Sequence, residues 1–159
     1  MNEIHQSIHK TLDQIRAAKA WEFVKNAKKR LTKNEKDKNE KFEKYVSLVK
    51  KFPAIINNNG LGQALAFIFS KAKKENPEGI LFEQLQKWLT ENENTPSESL
   101  YHPPYPGKNK DINSNDYLLQ CIMNNNSMMY LQATHESMSI LDKMRNFASG
   151  LSNDSNKED

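Results

Sequence analysis

The longest apolar region of this chain, residues 44–70, constrains the fold most, because it contains signals for the end of one helix, a turn and the start of another helix. Pro53 disfavours helical geometry in the residue before it and donates no amide hydrogen. We therefore predict that one helix ends at Phe52 and that a short helix begins at Pro53. Asn59 and Gly60 both tolerate positive φ, so they predict a turn before the next helix.

The helix that follows this turn is predicted to form the centre of the hydrophobic core. Its apolar residues recur every three or four positions and make a wide stripe, which is typical of a helix packed on several sides. The stripe consists of Leu61, Ala64, Leu65, Ile68 and Ala72, with Phe67 and Phe69 on its flanks. We expect Leu65 and Phe67 to be buried, and their replacement by alanine to destabilise the fold.

Helical periodicity extends over most of the remaining chain, and no stretch alternates convincingly with the period of a strand. We predict an all-α fold, a compact single-domain bundle of about six to seven helices, since 159 residues suit one domain with a modest core. The domain is predicted to cover residues 1–151, with an exposed linker at 32–40, a long proline-containing loop at 92–113 and a disordered tail at 152–159. The predicted helices cover residues 4–31, 40–51, 53–56, 61–74 and 81–89, a segment around Cys121, and a last helix that ends near Ser149 with Gly150 as its stop.

The composition favours a cytoplasmic protein. Cys121 is the single cysteine, which excludes an internal disulfide and is compatible with a reducing compartment. No apolar run approaches the roughly 20 residues that span a bilayer. The first ten residues also lack the apolar region of a signal peptide. We expect a cytoplasmic protein with no membrane partner.

The net charge of +3 conceals an uneven distribution along the chain. Residues 1–74 carry a balance of +10, and residues 75–159 a balance of −7. Such a chain can place one face on a phosphate backbone, although lysine-rich helices are often simply solvated, and cations at helix ends also favour the helix dipole. The candidate nucleic-acid-binding residues are Arg16, Lys19, Lys25, Lys28, Lys29, Arg30, Lys50, Lys51, Lys71 and Lys74.

The sequence shows no catalytic or metal-binding constellation. His5 and His9 stand four residues apart, a spacing that can hold zinc, but no third ligand accompanies them, and zinc sites use three or four. No nucleophile is identified beside His135-Glu136. Gly60-Leu61-Gly62 lacks the lysine and the spacing of a phosphate-binding loop. We predict a non-enzymatic protein with no cofactor and no metal ion.

Three blocks of residues carry a family resemblance. Lys44-Tyr45-x-Ser47-Leu48-Val49-Lys50-Lys51-x-Pro53-Ala54, followed by Asn59-Gly60-Leu61-Gly62-Gln63-x-Leu65-Ala66-Phe67, resembles the signature of the small subunit of type III-B CRISPR effector (Cmr) complexes. Tyr130-x-x-Ala133-Thr134-x-Glu136 through Phe147-Ala148 resembles the last helix of that family, and Arg16-Ala17-Ala18 to Val24 fits its first helix. Together the blocks cover about two thirds of the chain.

The resemblance implies a non-catalytic subunit of an antiviral ribonucleoprotein. Its partners would be the backbone subunits, neighbouring small subunits, and the guide and target RNA, with no small-molecule substrate and with cleavage left to other subunits. Copies would stack head to tail into a minor filament along the guide RNA–target RNA duplex, which requires two different complementary surfaces. Two alternatives stay open: a helical protein–protein adaptor whose basic face is only solvated, and a metal-dependent hydrolase that uses His5 and His9.

Overall fold

The computed structural model describes residues 10–33, 39–90 and 115–153, and these ranges contain six helices and no strand. The predicted all-α fold is therefore confirmed. The predicted loop at 92–113, most of the predicted linker and the pair His5 and His9 lie outside the described residues. The helices are α1 (Leu12–Leu31), α2 (Glu40–Asn59), α3 (Leu61–Lys71), α4 (Pro77–Thr90), α5 (Tyr117–Asn124) and α6 (Ser127–Asn153).

The longest helix, α6, packs along α1 and α2, and α2 also contacts α3 and α4. Helices α2 and α6 run in opposite directions, because Glu43 near the start of α2 bonds to Ser152 near the end of α6. At the other end of this pair, the turn at Gly60 lies beside Tyr130. All six helices contribute buried apolar side chains to one core. In the described ranges, no helix has the length and apolar character needed to cross a membrane.

Helix α2 continues through Pro53, so the prediction that a helix ends at Phe52 is wrong. A proline inside a helix costs about 3 kcal/mol, because one backbone hydrogen bond is lost and the ring crowds the preceding turn. Phe52 and Ile56 on either side of it are almost fully buried in the core. Burial of these two side chains favours the continuous helix and offsets the local cost.

The chain breaks at Gly60 instead, as the Asn-Gly pair predicts. Gly60 has a φ of 84° and ψ of 159°, a backbone conformation that side chains other than that of glycine rarely adopt. Its amide donates to the carbonyl of Ile56 at 2.8 Å and ends α2. A Cβ at this position would lie 3.0 Å from the hydroxyl oxygen of Tyr130. The turn therefore requires glycine for two independent reasons.

We expect Gly60→Ala to lower the free energy of unfolding by about 1–3 kcal/mol, the usual cost of a strained backbone conformation. The matched control is Gly150→Ala, because Gly150 lies inside α6 with no atom near its would-be Cβ. That variant should instead gain about 0.5–1 kcal/mol from the better helix propensity of alanine. Urea denaturation of both variants provides the test. Equal stability changes would contradict the role assigned to Gly60.

Phe67 lies on the exposed side of α3, with 41% of its surface accessible, so its predicted burial is wrong. Leu65 is fully buried, as predicted. The difference arises because α3 packs one face against its neighbours, while Phe67 stands on the flank of that face and contacts Lys71. Phe69 on the other flank is partly covered by the ring of Phe82.

Helix α6 continues past Gly150 to Asn153, two residues beyond the predicted domain end at 151. Ser152 is buried, and its hydroxyl lies 2.7 and 2.8 Å from the two carboxylate oxygens of Glu43. Lys28 donates to the carbonyl oxygen of Leu151 at 3.1 Å. These contacts from α1 and α2 hold the last turn of α6 in place and outweigh the helix-breaking tendency of Gly150.

A buried polar relay connects α1, α2 and α4. The hydroxyl of Tyr45 donates to the side-chain carbonyl of Gln84 at 2.7 Å, and the Gln84 amide donates to the backbone carbonyl of Phe23 at 2.8 Å. Burial raises the pKa of Tyr45 well above its ordinary value, although the hydrogen bond to Gln84 partly opposes this. Tyr45 is therefore a neutral hydrogen-bond donor within the core.

Candidate nucleic-acid interface

A basic groove of about 600 Å³ opens between the first half of α2 and the connection from α3 to α4. Four of its lining residues are lysines, and we call this feature the lysine groove. The lysine groove is lined by Lys41, Lys44, Ser47, Lys51, Lys73, Glu75, Asn76, Pro77 and Glu78. It carries four ammonium groups against two carboxylates, so its net charge favours an anionic ligand.

The spacing of residues along α2 explains one wall of the lysine groove. Lys41, Lys44, Ser47 and Lys51 follow each other at intervals of three, three and four residues, so their side chains share one face of the helix. Tyr45, like the other core residues of α2, faces inward and is fully buried. Burial of that apolar face fixes the rotation of α2 and presents the lysines to solvent.

Asn76 shapes the other wall by capping α4. Its side-chain oxygen accepts hydrogen bonds from the amides of Lys73 and Gly79, at 2.9 and 2.8 Å. Its side-chain nitrogen donates to the carbonyl of Lys71 at 2.7 Å. Pro77 then starts the helix, where its missing amide hydrogen costs nothing. The positive end of the α4 dipole therefore faces the lysine groove and adds to its attraction for anions.

Arg30 braces the edge of the lysine groove. Its guanidinium donates to Glu83 at 2.9 Å, to the carbonyl of Lys74 at 2.9 Å, and more weakly to Glu75. Partial burial disfavours the charged form, but the hydrogen bonds to Glu83 and Glu75 outweigh it and raise the pKa of Arg30. Arg30 thus joins the last turn of α1 to the connection between α3 and α4, and its guanidinium is engaged in internal bonds.

Arg16, another predicted RNA contact, forms a partly buried pair with Glu136. Its Nε and Nη2 donate to the two carboxylate oxygens at 2.8 and 2.7 Å. Glu136 also accepts from the indole nitrogen of Trp88 at 3.1 Å. The hydrogen bond to Glu136 raises the pKa of Arg16 above its ordinary value. This cluster joins α1, α4 and α6, and it gives Arg16 a structural role.

The other predicted cations point in several directions. Lys28 donates to Leu151 and lies over the ring of Phe42, and Lys71 lies 4.4 Å from the centre of the exposed Phe67 ring. Of the ten predicted residues, Lys51 lines the lysine groove, Arg30 lies at its edge, and Lys74 stands in sequence between the lining residues Lys73 and Glu75, while the other seven lie elsewhere. Lys19 and Lys25 contact residues of their own helix, and Lys29 and Lys50 are exposed to solvent.

Sequence reasoning missed Lys41, Lys44 and Lys73, which line the lysine groove. For the first two a signal was present, because they recur with Lys51 at helical spacing along one side of α2. No such signal existed for Lys73, since its position depends on how Asn76 turns the chain into α4.

The described residues contain no group of three or more histidine, cysteine, aspartate or glutamate side chains that could hold a metal ion. Cys121 is buried in α5 among apolar neighbours. His135 is exposed on α6. The two lysine-groove carboxylates, Glu75 and Glu78, stand among ammonium groups, which is unfavourable for binding a cation.

A comparison with known protein families identifies the family of this chain. The family model of the CRISPR-associated protein Cmr5 (Cas_Cmr5) matches residues 12–151. The chain belongs to the Cmr5 family. It is thus a small subunit of the type III-B CRISPR effector (Cmr) complex, with other Cmr subunits as its partners. Small subunits of this family are structural components of the complex, and no catalytic family is indicated.

The fold is also similar to the crystal structure of a CRISPR-associated Cmr5 family protein from Thermus thermophilus. The TM-score is 0.61 with 23% sequence identity, and the similarity covers 90% of this chain and 98% of the other. A likeness at this level of identity supports the fold alone.

The residues that carry the resemblance to Cmr5 have distinct positions in the structure. Within the first block, Tyr45 is buried and Lys44, Ser47 and Lys51 line the lysine groove. Within the last, Glu136 binds Arg16, and the hydroxyl of Tyr130 accepts from the amide of Gly62 at 3.0 Å. The buried and turn residues of the Cmr5-like pattern therefore specify the fold, and one helix face within it belongs to the lysine groove.

Proposed function

We propose that this Cmr5 chain is a non-catalytic subunit that helps to hold the guide RNA–target RNA duplex through the lysine groove. In the same proposal, copies stack head to tail into the minor filament of the complex, through two different complementary surfaces. The observation that supports RNA contact is the convergence of Lys41, Lys44, Lys51 and Lys73 on one depression.

The chemistry of the lysine groove suits a phosphate backbone. Ammonium groups contact phosphates without reading bases, and such contacts position a nucleic acid without specifying its sequence. This suits a ribonucleoprotein in which a guide RNA supplies the sequence. Ten residues of α2 separate Lys41 from Lys51, so the row of cations spans about 15 Å of helix and can reach several phosphates of one strand.

The test is the salt dependence of RNA binding by the assembled complex that carries Lys44→Ala, Lys51→Ala and Lys73→Ala together. Each lost phosphate contact lowers the slope of log affinity against log salt by about 0.7–0.9, so the slope should flatten by about 2–2.7. Affinity should fall alike for unrelated RNA sequences. The matched control replaces three exposed lysines outside the groove, Lys25, Lys29 and Lys50, and changes the net charge equally.

The outcomes separate the competing interpretations. A flatter slope in the groove variant alone supports the proposal, whereas equal flattening in both variants indicates a diffuse charge effect. An unchanged slope with intact assembly would refute RNA contact in the lysine groove and favour the adaptor function. Lys28 and Arg30 are left unchanged in this design, because both make internal bonds and their loss would also weaken the fold.

A further inference from the structure

The turn after α2 carries a reactive dipeptide, because Asn59-Gly60 is the one Asn-Gly pair of the chain. The backbone nitrogen of the residue after an asparagine can attack the side-chain carbonyl carbon and convert the asparagine to an acid. Glycine permits this attack most readily, since it has no Cβ to obstruct it and its backbone reaches many conformations. Asn59 is also exposed, so water reaches its side chain. The pair therefore has the composition and the accessibility of a deamidation site.

Deamidation of this pair needs water and no other reactant. The backbone nitrogen of Gly60 loses its proton and bonds to the side-chain carbonyl carbon of Asn59. The bond from that carbon to Nδ2 breaks, and Nδ2 takes up a proton and leaves as ammonia. One water molecule then opens the resulting cyclic imide at either of its carbonyl carbons. The product at position 59 is aspartate or isoaspartate.

The folded chain keeps the two reacting atoms apart. The amide of Gly60 donates to the carbonyl of Ile56 at 2.8 Å, so its proton is held in a backbone hydrogen bond. The side-chain amide of Asn59 donates to the carbonyl of Ile55 at 3.2 Å, which turns this side chain back along α2 and away from Gly60. Both hydrogen bonds must break before the Gly60 nitrogen can reach the Asn59 side chain.

These two hydrogen bonds belong to the last turn of α2, which can open without disturbing the core. Residues 57–59 are exposed, whereas Ile56 and Leu61 on either side of the turn are buried. Exposed helix ends open at a much lower free energy than core helices do. One contact from another helix restrains the turn, because the amide of Gly62 donates to the hydroxyl of Tyr130 in α6 at 3.0 Å.

We propose that Asn59 is a deamidation site that the fold keeps closed, that fraying of the last turn of α2 opens it, and that the contact from Tyr130 sets how often it opens. The reaction runs in one direction, because ammonia is lost. The proposal concerns the α2–α3 turn and does not depend on RNA binding by the lysine groove.

The modified chain is expected to hold this turn less firmly. Residues 52–70 span 19 positions without lysine, arginine, aspartate or glutamate, so the new carboxylate is the first charge in that segment. It stands at the C-terminal end of α2, where the helix dipole disfavours negative charge. Isoaspartate also lengthens the backbone by one carbon directly before Gly60, whose positive φ already leaves the turn little freedom.

The rate of deamidation at Asn59, measured by peptide mass spectrometry after incubation of the full-length chain at mildly alkaline pH, tests the proposal. The folded chain should react more than about tenfold more slowly than the same chain unfolded in urea, because the helix end must open first. Tyr130→Phe removes the hydroxyl that accepts from Gly62. It should raise the rate in the folded chain by about 2–10-fold, the change in an opening equilibrium expected from one hydrogen bond.

Tyr45→Phe is the matched control, because it also removes one bonded hydroxyl but lies in the first half of α2, far from Asn59. It leaves Gln84 without its donor and lowers the stability of the whole domain, yet it should not change the deamidation rate of the folded chain. Circular dichroism establishes that both variants are folded during the incubation. In the parent chain, hydrogen exchange of the Gly60 amide should be far faster than that of the Leu65 amide in α3.

Four results would overturn the proposal. One is a folded chain that deamidates as fast as the unfolded chain, and another is an unfolded chain that does not deamidate at Asn59. The third is a Tyr130→Phe rate equal to that of the parent. The last is equal acceleration by Tyr130→Phe and Tyr45→Phe, or equal exchange of the Gly60 and Leu65 amides, since global unfolding would then be the route to reaction.

Discussion

Leu65→Ala is expected to lower the free energy of unfolding by about 2–5 kcal/mol, the range for removing a large aliphatic side chain from a packed core. Leu65 is fully buried in the middle of α3. Its removal leaves a cavity that the surrounding helices fill only in part, so both the transfer energy and the packing contacts are lost. Urea denaturation followed by circular dichroism measures the change.

Phe67→Ala is the control, because Phe67 lies two residues away on the same helix but is 41% exposed. It should cost less than about 1 kcal/mol, as is usual for surface substitutions that leave the core intact. Equal losses in the two variants would contradict the inward and outward faces assigned to α3. A loss below about 1 kcal/mol for Leu65→Ala would contradict its place in the core.

The second large effect is expected for Glu136→Ala, which should cost about 2–4 kcal/mol, because unpaired buried donors are costly. Glu136 accepts two hydrogen bonds from Arg16 and one from Trp88, and the side chains of Glu136 and Arg16 are only 19% and 22% exposed. Alanine leaves a partly buried guanidinium and a buried indole N–H without their acceptor. The same denaturation experiment measures this loss.

Asp142→Ala supplies the comparison, since Asp142 pairs with Arg145 on the exposed side of α6. An exposed pair three residues apart on a helix contributes less than about 0.5 kcal/mol, so this variant should be nearly as stable as the parent. If Glu136→Ala proved as mild as Asp142→Ala, the cluster around Glu136 would have no part in joining α1, α4 and α6.

Periodicity and turn chemistry predict the all-α fold well, because both are local properties. The Asn59-Gly60 turn and the buried Leu65 follow directly from the sequence. Pro53 and Gly150 suggest helix ends that the structure does not have, because contacts from other helices outweigh their local preferences. Ends of helices depend on such distant partners, which no window of neighbouring residues contains.

The candidate interface is harder to predict than the fold. Lys28, Lys29 and Arg30 are consecutive, and each step along a helix rotates a side chain by about 100°. Lys28 therefore bonds to α6, Lys29 points to solvent, and Arg30 reaches the connection before α4. A run of cations in sequence suggests one surface, whereas the lysine groove combines residues spaced along α2 with one from a distant connection.

The relay from Tyr45 through Gln84 to the Phe23 carbonyl restricts how α1, α2 and α4 can align with one another. Apolar contacts tolerate small slides between helices, because one aliphatic neighbour replaces another. The Gln84 amide is only satisfied when the Tyr45 hydroxyl and the Phe23 carbonyl lie at hydrogen-bonding distance on either side of it. Moving α4 by one residue would bury unpaired polar groups, at about 1–3 kcal/mol for each. The relay thus raises the energy of misaligned packings and selects one register for α1, α2 and α4.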